Sequence, residues 1–158
     1  MSVLKLLIVE DEIYSRKSLV KQVQALDAAK TMTILEAADG KAALELVKRD
    51  RPALVLSDIQ MPFMNGLELL KETRRLLPDT RVVMISGYAE FEFAQQALNL
   101  GANGYLLKPV SSAQLLETLG QVAEQIEQEQ QQLRSAGANS RSEREEDVLR
   151  EHFLNDLL

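Results

Sequence analysis

Residues 53–62 read Ala53-Leu54-Val55-Leu56-Ser57-Asp58-Ile59-Gln60-Met61-Pro62. The first five have the length and aliphatic content of a strand, and the run ends on a lone carboxylate, Asp58, ahead of a Pro-containing turn. Outward in both directions the same shape recurs. With residues 53–57 as β3, strand-length runs at 4–9 (β1), 32–37 (β2), 81–85 (β4) and 103–107 (β5) alternate with segments of helical period. Those helical segments lie at 13–26 (α1), 41–48 (α2), 66–76 (α3), 91–100 (α4) and from 113 onward (α5), most of them bounded by Gly, Pro, Asn or Asp. Five βα units in succession predict an α/β fold with a five-stranded parallel sheet covered on both faces, since right-handed crossovers distribute the helices about the sheet.

In open sheets of this kind, binding chemistry collects outside the carboxyl ends of the strands. Glu10 and Asp11 follow β1, Asp58 follows β3, Ser86 follows β4 and Lys108 follows β5. All four ends are polar or charged and are expected to converge on one rim. Singly, each has a plainer explanation: an acidic pair after a strand decorates a helix N-terminus, a loop lysine is solvated, and Ser86-Gly87 makes a turn. Their joint placement at four ends of one array is what chance does not readily reproduce.

An oxygen-only acidic cluster beside a lysine suits a hard divalent cation, Mg²⁺ by preference with Mn²⁺ possible, especially where phosphate is also bound. Asp58 is the better nucleophile, because the adjacent Glu10 and Asp11 form the far wall of the metal site, and a carboxylate attacking phosphorus yields an acyl phosphate. Lys108 supplies an ammonium for the developing charge, and Ser86 a hydroxyl that can donate to a phosphoryl oxygen.

The chain has 158 residues, enough for one domain with a sizeable core and some helical turns beyond it. It has no cysteine, which excludes disulfides and thiolate chemistry, and no apolar stretch of membrane-spanning length. A soluble cytoplasmic protein is expected. The net charge of −6 is uneven: residues 1–110 carry 14 basic and 14 acidic side chains, residues 111–158 carry 4 and 10. That acidic tail would be repelled by nucleic acid, so any DNA binding is expected to reside elsewhere, in a partner or in a downstream domain outside this chain.

Beyond the core units, Leu115, Leu119, Val122, Ile126 and Leu133 recur at helical steps, with Glu129 at the position completing the series. The expected organisation is a domain over 1–122, an extension of α5 over 123–134, a linker over 135–141 and a further helical segment over 142–158. Ser142 with Glu145 would open that last helix as a capping box. Ile126 and Leu133 call for a partner, either a second chain or that helix. His152 is expected to be a surface residue.

Four segments together resemble the receiver domains of bacterial two-component response regulators, over residues 1 to about 122. They are Leu7-Ile8-Val9-Glu10-Asp11-Glu12, Leu56-Ser57-Asp58-Ile59-Gln60-Met61-Pro62 with Asn65-Gly66, Met84-Ile85-Ser86-Gly87-Tyr88, and Gly101-Ala102-Asn103-Gly104-Tyr105-Leu106-Leu107-Lys108-Pro109. The resemblance implies a flavodoxin-like (βα)5 fold with strand order 2-1-3-4-5. It implies that Asp58 accepts a phosphoryl group from a sensor histidine kinase, promoted by the domain itself without its being an enzyme in the ordinary sense. Metal ligands would be Asp11, Asp58, the backbone carbonyl of Gln60, and Glu10 directly or through water. Ser86 and Tyr105 would be the switch pair, Lys108-Pro109 a cis peptide, and the α4–β5–α5 face the output surface, with a homodimer through that face or the extended α5. Glu10 and Ser86 stand where Asp and Thr are frequent, and both keep the needed oxygen.

The run Gly87-Tyr88-Ala89-Glu90-Phe91-Glu92-Phe93-Ala94-Gln95-Gln96-Ala97-Leu98 is similar to receivers of AraC-type (YesN-like) transcriptional regulators, in which a helical linker and a helix-turn-helix domain follow. The closing segment, residues 149–158, is similar to that linker. Competing readings are weaker. A nucleotide binder of the same architecture would carry a Gly-rich phosphate loop after β1, which is missing. A hydrolase-type phosphotransferase would want a second aspartate where Ile13 stands. The stronger alternative is a structural pseudo-receiver that dimerises without phosphorylation.

Overall fold

A computed structural model describes residues 4–27, 30–87 and 91–137, so positions 138–141 of the linker expected over 135–141, and the helix expected over 142–158 with His152, lie outside the described residues, while 135–137 are not linker but the last residues of the fifth helix. The elements run β1 Leu4–Val9, α1 Ile13–Leu26, β2 Met32–Ala37, α2 Gly40–Asp50, β3 Leu54–Asp58, α3 Gly66–Leu76, β4 Arg81–Ser86, α4 Phe91–Asn99, β5 Gly104–Leu107 and α5 Ser112–Gly137. Asp58 and Ser86 thus close their strands instead of following them, because Asp58 still pairs with Ile85 and Ser86 with Leu107 in the ladder.

All pairings are parallel and the order is β2-β1-β3-β4-β5. From β1 the chain moves one way to β2, then returns across β1 to β3 and continues to β5. With right-handed crossovers, α1 covers one face and α2, α3 and α4 the other. The direction reverses between β1 and β3, and at such a switch point the loops part to leave a crevice beyond the strand ends.

Burial follows from this layering. β3, flanked on both sides, is buried at every residue. Leu7, Val9, Val55, Val82 and Met84, alternate residues along their strands, join Ala43, Val47, Leu69, Leu70 and Ala97 of α2, α3 and α4 in one core. The chain divides into two compact units at residues 118 and 119, within α5. The first holds the sheet and its helices. Of the second, the described part is the remainder of α5, in which Leu119 and Val122 are buried and Leu133 is exposed.

Side-chain caps set three helix starts near the crevice. Glu12 accepts from the amides of Tyr14 and Ser15, Asp39 from that of Ala42, and Asn65 forms a reciprocal capping box with Glu68. The start of α3 also lies directly against β3. The Gly66 amide donates to the Ile59 carbonyl at 2.7 Å, and a Cβ at Gly66 would collide with the Asp58 carbonyl oxygen and come within 2.9 Å of Ile59 Cα. Only glycine lets the β3–α3 loop close this tightly behind Asp58. Gly66→Ala is therefore expected to lower unfolding stability by about 1–3 kcal/mol, read as a reduced urea midpoint at unchanged m-value.

Candidate functional site

Glu10 stands one residue past β1. Its amide donates to Ala37 O at 3.1 Å, extending the β1–β2 ladder by one step, and only 2% of its surface is exposed. Asp58 ends β3 with 8% exposed. Its Oδ1 accepts from the Ile59 amide at 2.8 Å. Lys108, one residue past β5, is anchored by its own amide to Ser86 O at 2.8 Å, and the Lys108–Pro109 peptide is cis.

The Lys108 ammonium donates to Asp58 Oδ2 at 2.9 Å and to Glu10 Oε1 and Oε2 at 3.1 and 3.2 Å. One cation, carried past the end of β5, thus bridges carboxylates at the ends of β1 and β3. Asp11 sits beside them, exposed at the mouth, and no hydrogen bond from a described residue reaches its carboxylate. Carboxylate oxygens of Glu10, Asp11 and Asp58 lie within 4.8 Å of one another.

Three carboxylates face one ammonium, so full ionisation leaves the cluster two positive charges short. A divalent cation supplies that deficit, and an all-oxygen donor set suits Mg²⁺ or Mn²⁺. Without one, a proton is the alternative. Burial, helped by the hydrogen bond and charge of Asp58 and opposed by Lys108, raises the Glu10 carboxyl from 4.5 to about 7. For Lys108, burial works against the ammonium, but the hydrogen bonds and charges of Asp58 and Glu10 outweigh it and hold its pKa above the ordinary lysine value.

The remaining candidates are ranged around this core. Ser86 is buried at the end of β4, beside Asp58's strand. Tyr105 lies on β5 opposite Met84, one pleat repeat back from Ser86; it is half-buried, and its buried hydroxyl has no hydrogen-bond partner among the described residues. Gln60 is exposed in the loop after β3.

Two features had no counterpart in the sequence reading. Lys108 binds Glu10 as well as facing Asp58, a contact spanning 98 residues. Arg16 on α1 donates to the backbone carbonyl of Glu10. The target of that bond is a main-chain atom, which leaves no mark in the sequence.

The family model described as "response regulator receiver domain" matches residues 6–120. This chain belongs to the response regulator receiver family. Among relatives, the transcriptional regulatory protein HptR of Staphylococcus aureus is 37% identical over 128 residues, covering 81% of this chain and 50% of that protein. The transcriptional regulatory protein YesN of Bacillus subtilis is 33% identical over 94 residues, covering 60% of this chain and 26% of that one. The chain therefore spans between a quarter and half the length of these relatives. Among solved structures, the receiver domain of AraT from Geobacillus stearothermophilus superposes with a TM-score of 0.73 at 39% identity, covering 81% of this chain and 98% of that one. The chemotaxis protein CheY4 of Vibrio cholerae gives 0.69 at 31% identity, covering 77% and 99%. The receiver is thus a regulatory domain with transcriptional regulators among its homologues, and none of its described helices is long and apolar enough to cross a membrane.

The raised Glu10 carboxyl has a definite sign in the metal-free receiver. Between about 4.5 and about 7 the folded state retains a proton that the unfolded chain has released, so this group makes stability fall as pH rises through that window and contributes no further change above it. In EDTA, the difference in urea midpoint between pH 5 and pH 7.5 should be more favourable to the high-pH state in Glu10→Gln than in wild type. Equal pH dependence in the two would contradict the burial argument.

Proposed function

We propose that this receiver accepts a phosphoryl group on Asp58 from a sensor histidine kinase and passes the change to a transcriptional output through its α4–β5–α5 face. The observation that carries the proposal is the Lys108 ammonium bridging Asp58 and Glu10, with Asp11 alongside. Asp11, Asp58, the Gln60 backbone carbonyl and Glu10, directly or through water, would hold Mg²⁺. When bound, the ion supplies positive charge to the phosphoryl oxygens.

The chemistry asked of the chain is positioning and charge stabilisation. An Asp58 carboxylate oxygen forms a bond to phosphorus as the bond from phosphorus to the donor's histidine nitrogen breaks, its electron pair staying on the imidazole. The product is an acyl phosphate. The Ile59 amide on Oδ1 orients the carboxylate, and Lys108, already on Oδ2, follows the charge onto the phosphoryl oxygens. Ser86 donates its hydroxyl to one of those oxygens, a contact that exists only in the phosphorylated state.

Switching needs such differential contacts, because a modification shifts an equilibrium only by binding one state better. Drawing Ser86 toward the phosphoryl group opens space along β4, and Tyr105, whose buried hydroxyl has no partner among the described residues, moves into it. The surface that reports this carries Leu98 and Leu100 on and just after α4, Leu107 on β5 and Leu116 in the first turns of α5, all exposed. A second copy covering them would be favoured by burial of apolar area.

Residues 1–122 form the receiver on this reading, α5 extends beyond it to Gly137, and a linker to residue 141 with a helical segment over 142–158 leads toward an AraC-type DNA-binding domain outside this chain. The relatives' names as transcriptional regulatory proteins support that output, and the cytoplasm is the expected compartment. The alternative is a pseudo-receiver that dimerises without phosphorylation. Incubation with acetyl phosphate and Mg²⁺ should label wild type and leave Asp58→Asn unlabelled. Absent label on wild type, or equal label on the variant, would favour the pseudo-receiver. In Lys108→Ala some labelling should persist while the phosphorylation-dependent gain in dimer affinity, measured by sedimentation, is lost. A normal gain in that variant would overturn the switch.

A further inference from the structure

The two acids that follow β1 need more than side-chain chemistry to hold a cation. Asp11 is exposed and receives no hydrogen bond from a described residue, so its backbone is what holds the point and direction from which its side chain leaves the chain. That backbone is pinned on both sides of Glu10. On the N-terminal side the Glu10 amide is tied to Ala37 O of β2 at 3.1 Å. On the C-terminal side, the carbonyl of the Glu10–Asp11 peptide accepts from Arg16 Nη1 at 2.8 Å.

Arg16 is itself held. Its Nε donates to Glu36 Oε1 at 3.1 Å, while the second oxygen of Glu36 takes Lys17 Nζ at 2.9 Å. The Arg16 side chain is only 14% exposed and that of Glu36 29%. Glu36 lies on β2 opposite Ile8 of β1, so its backbone belongs to the sheet. The guanidinium is a rigid planar fork. With one edge on a carboxylate fixed to β2, its other nitrogen has a fixed height over the β1–α1 turn.

A simple ion pair between α1 and β2 would explain the Glu36 contact, but not the second bond to the one carbonyl that joins the two acids. Fixing that carbonyl fixes the plane of the Glu10–Asp11 peptide, and with it the direction in which Asp11 leaves the chain. We propose that Arg16, braced by Glu36, is a positioning residue for the divalent-cation site. It touches no ligand and acts by preorganising the peptide between Glu10 and Asp11. The inference rests on the reading of the acidic cluster as a cation site.

The test measures Mg²⁺ affinity of the unphosphorylated chain by titration calorimetry, with thermal unfolding in EDTA as a check on folding. Arg16→Met keeps the apolar stem and removes the fork. It is expected to weaken Mg²⁺ about tenfold, in the range found when the partners that orient metal ligands are removed. Glu36→Gln keeps a neutral acceptor for Nε and should weaken Mg²⁺ by about threefold, since a charge-assisted bond becomes an ordinary one. In acetyl phosphate labelling, the half-saturating Mg²⁺ concentration should rise in Arg16→Met while the rate at saturating Mg²⁺ is preserved, a split that loss of stability would not produce. Unchanged Mg²⁺ affinity in folded Arg16→Met would overturn the inference; should that variant not fold, unchanged affinity in Glu36→Gln would do so. Absence of Mg²⁺ binding by wild type would overturn the cation site and this inference together, whereas wild-type binding that persists unaltered in the variants would overturn this inference alone.

Discussion

An ammonium held between two buried carboxylates is the interaction on which the rest of this molecule turns. Lys108 reaches Asp58 and Glu10 from β5, which is separated from β3 by the whole of β4. The reach works because its amide is anchored on Ser86, at the end of the intervening strand. Removing the ammonium would leave two nearly inaccessible carboxylates facing each other, and an uncompensated buried charge costs several kcal/mol. The sheet order is therefore a condition of the site: carboxyl ends of β1, β3 and β5 meet only because parallel strands present all their ends on one edge.

The cluster is nonetheless deliberately unfinished in charge. One ammonium among three carboxylates leaves negative charge uncompensated; burial and the neighbouring Asp58 favour a proton on Glu10, and on the proposed reading a divalent ion would take that place. On the proposed reading this explains why phosphoryl transfer and switching share one place. The group that arrives is anionic, and the cations already gathered for the carboxylates are the ones that receive it.

Around this core the fold supplies rigidity in small, separate devices. Gly66 lets α3 start directly behind Asp58, and the Asn65–Glu68 box fixes that start. Arg16 ties the turn between Glu10 and Asp11 to β2. Each constrains backbone, so the acids are aimed by their peptides as much as by contacts of their own side chains.

The sequence by itself determined the five βα units, and with them the rim on which Glu10, Asp11, Asp58, Ser86 and Lys108 stand. Hydrophobic period and turn residues are local, and the rule that parallel strands share a carboxyl edge converts local reading into a site. Strand ends were off by a residue at Asp58 and Ser86 because the ladder, a partner-dependent feature, decides where pairing stops. Which oxygens Lys108 would choose, that Glu10 would be buried deeply enough to favour its proton, and that Arg16 would grip a main-chain carbonyl were decided only by tertiary structure. Those contacts join residues 98, 50 and 6 positions apart and depend on distances of a few tenths of an ångström. Residue type and spacing carry no record of such distances, since they arise from how the packed layers bring separate backbones together.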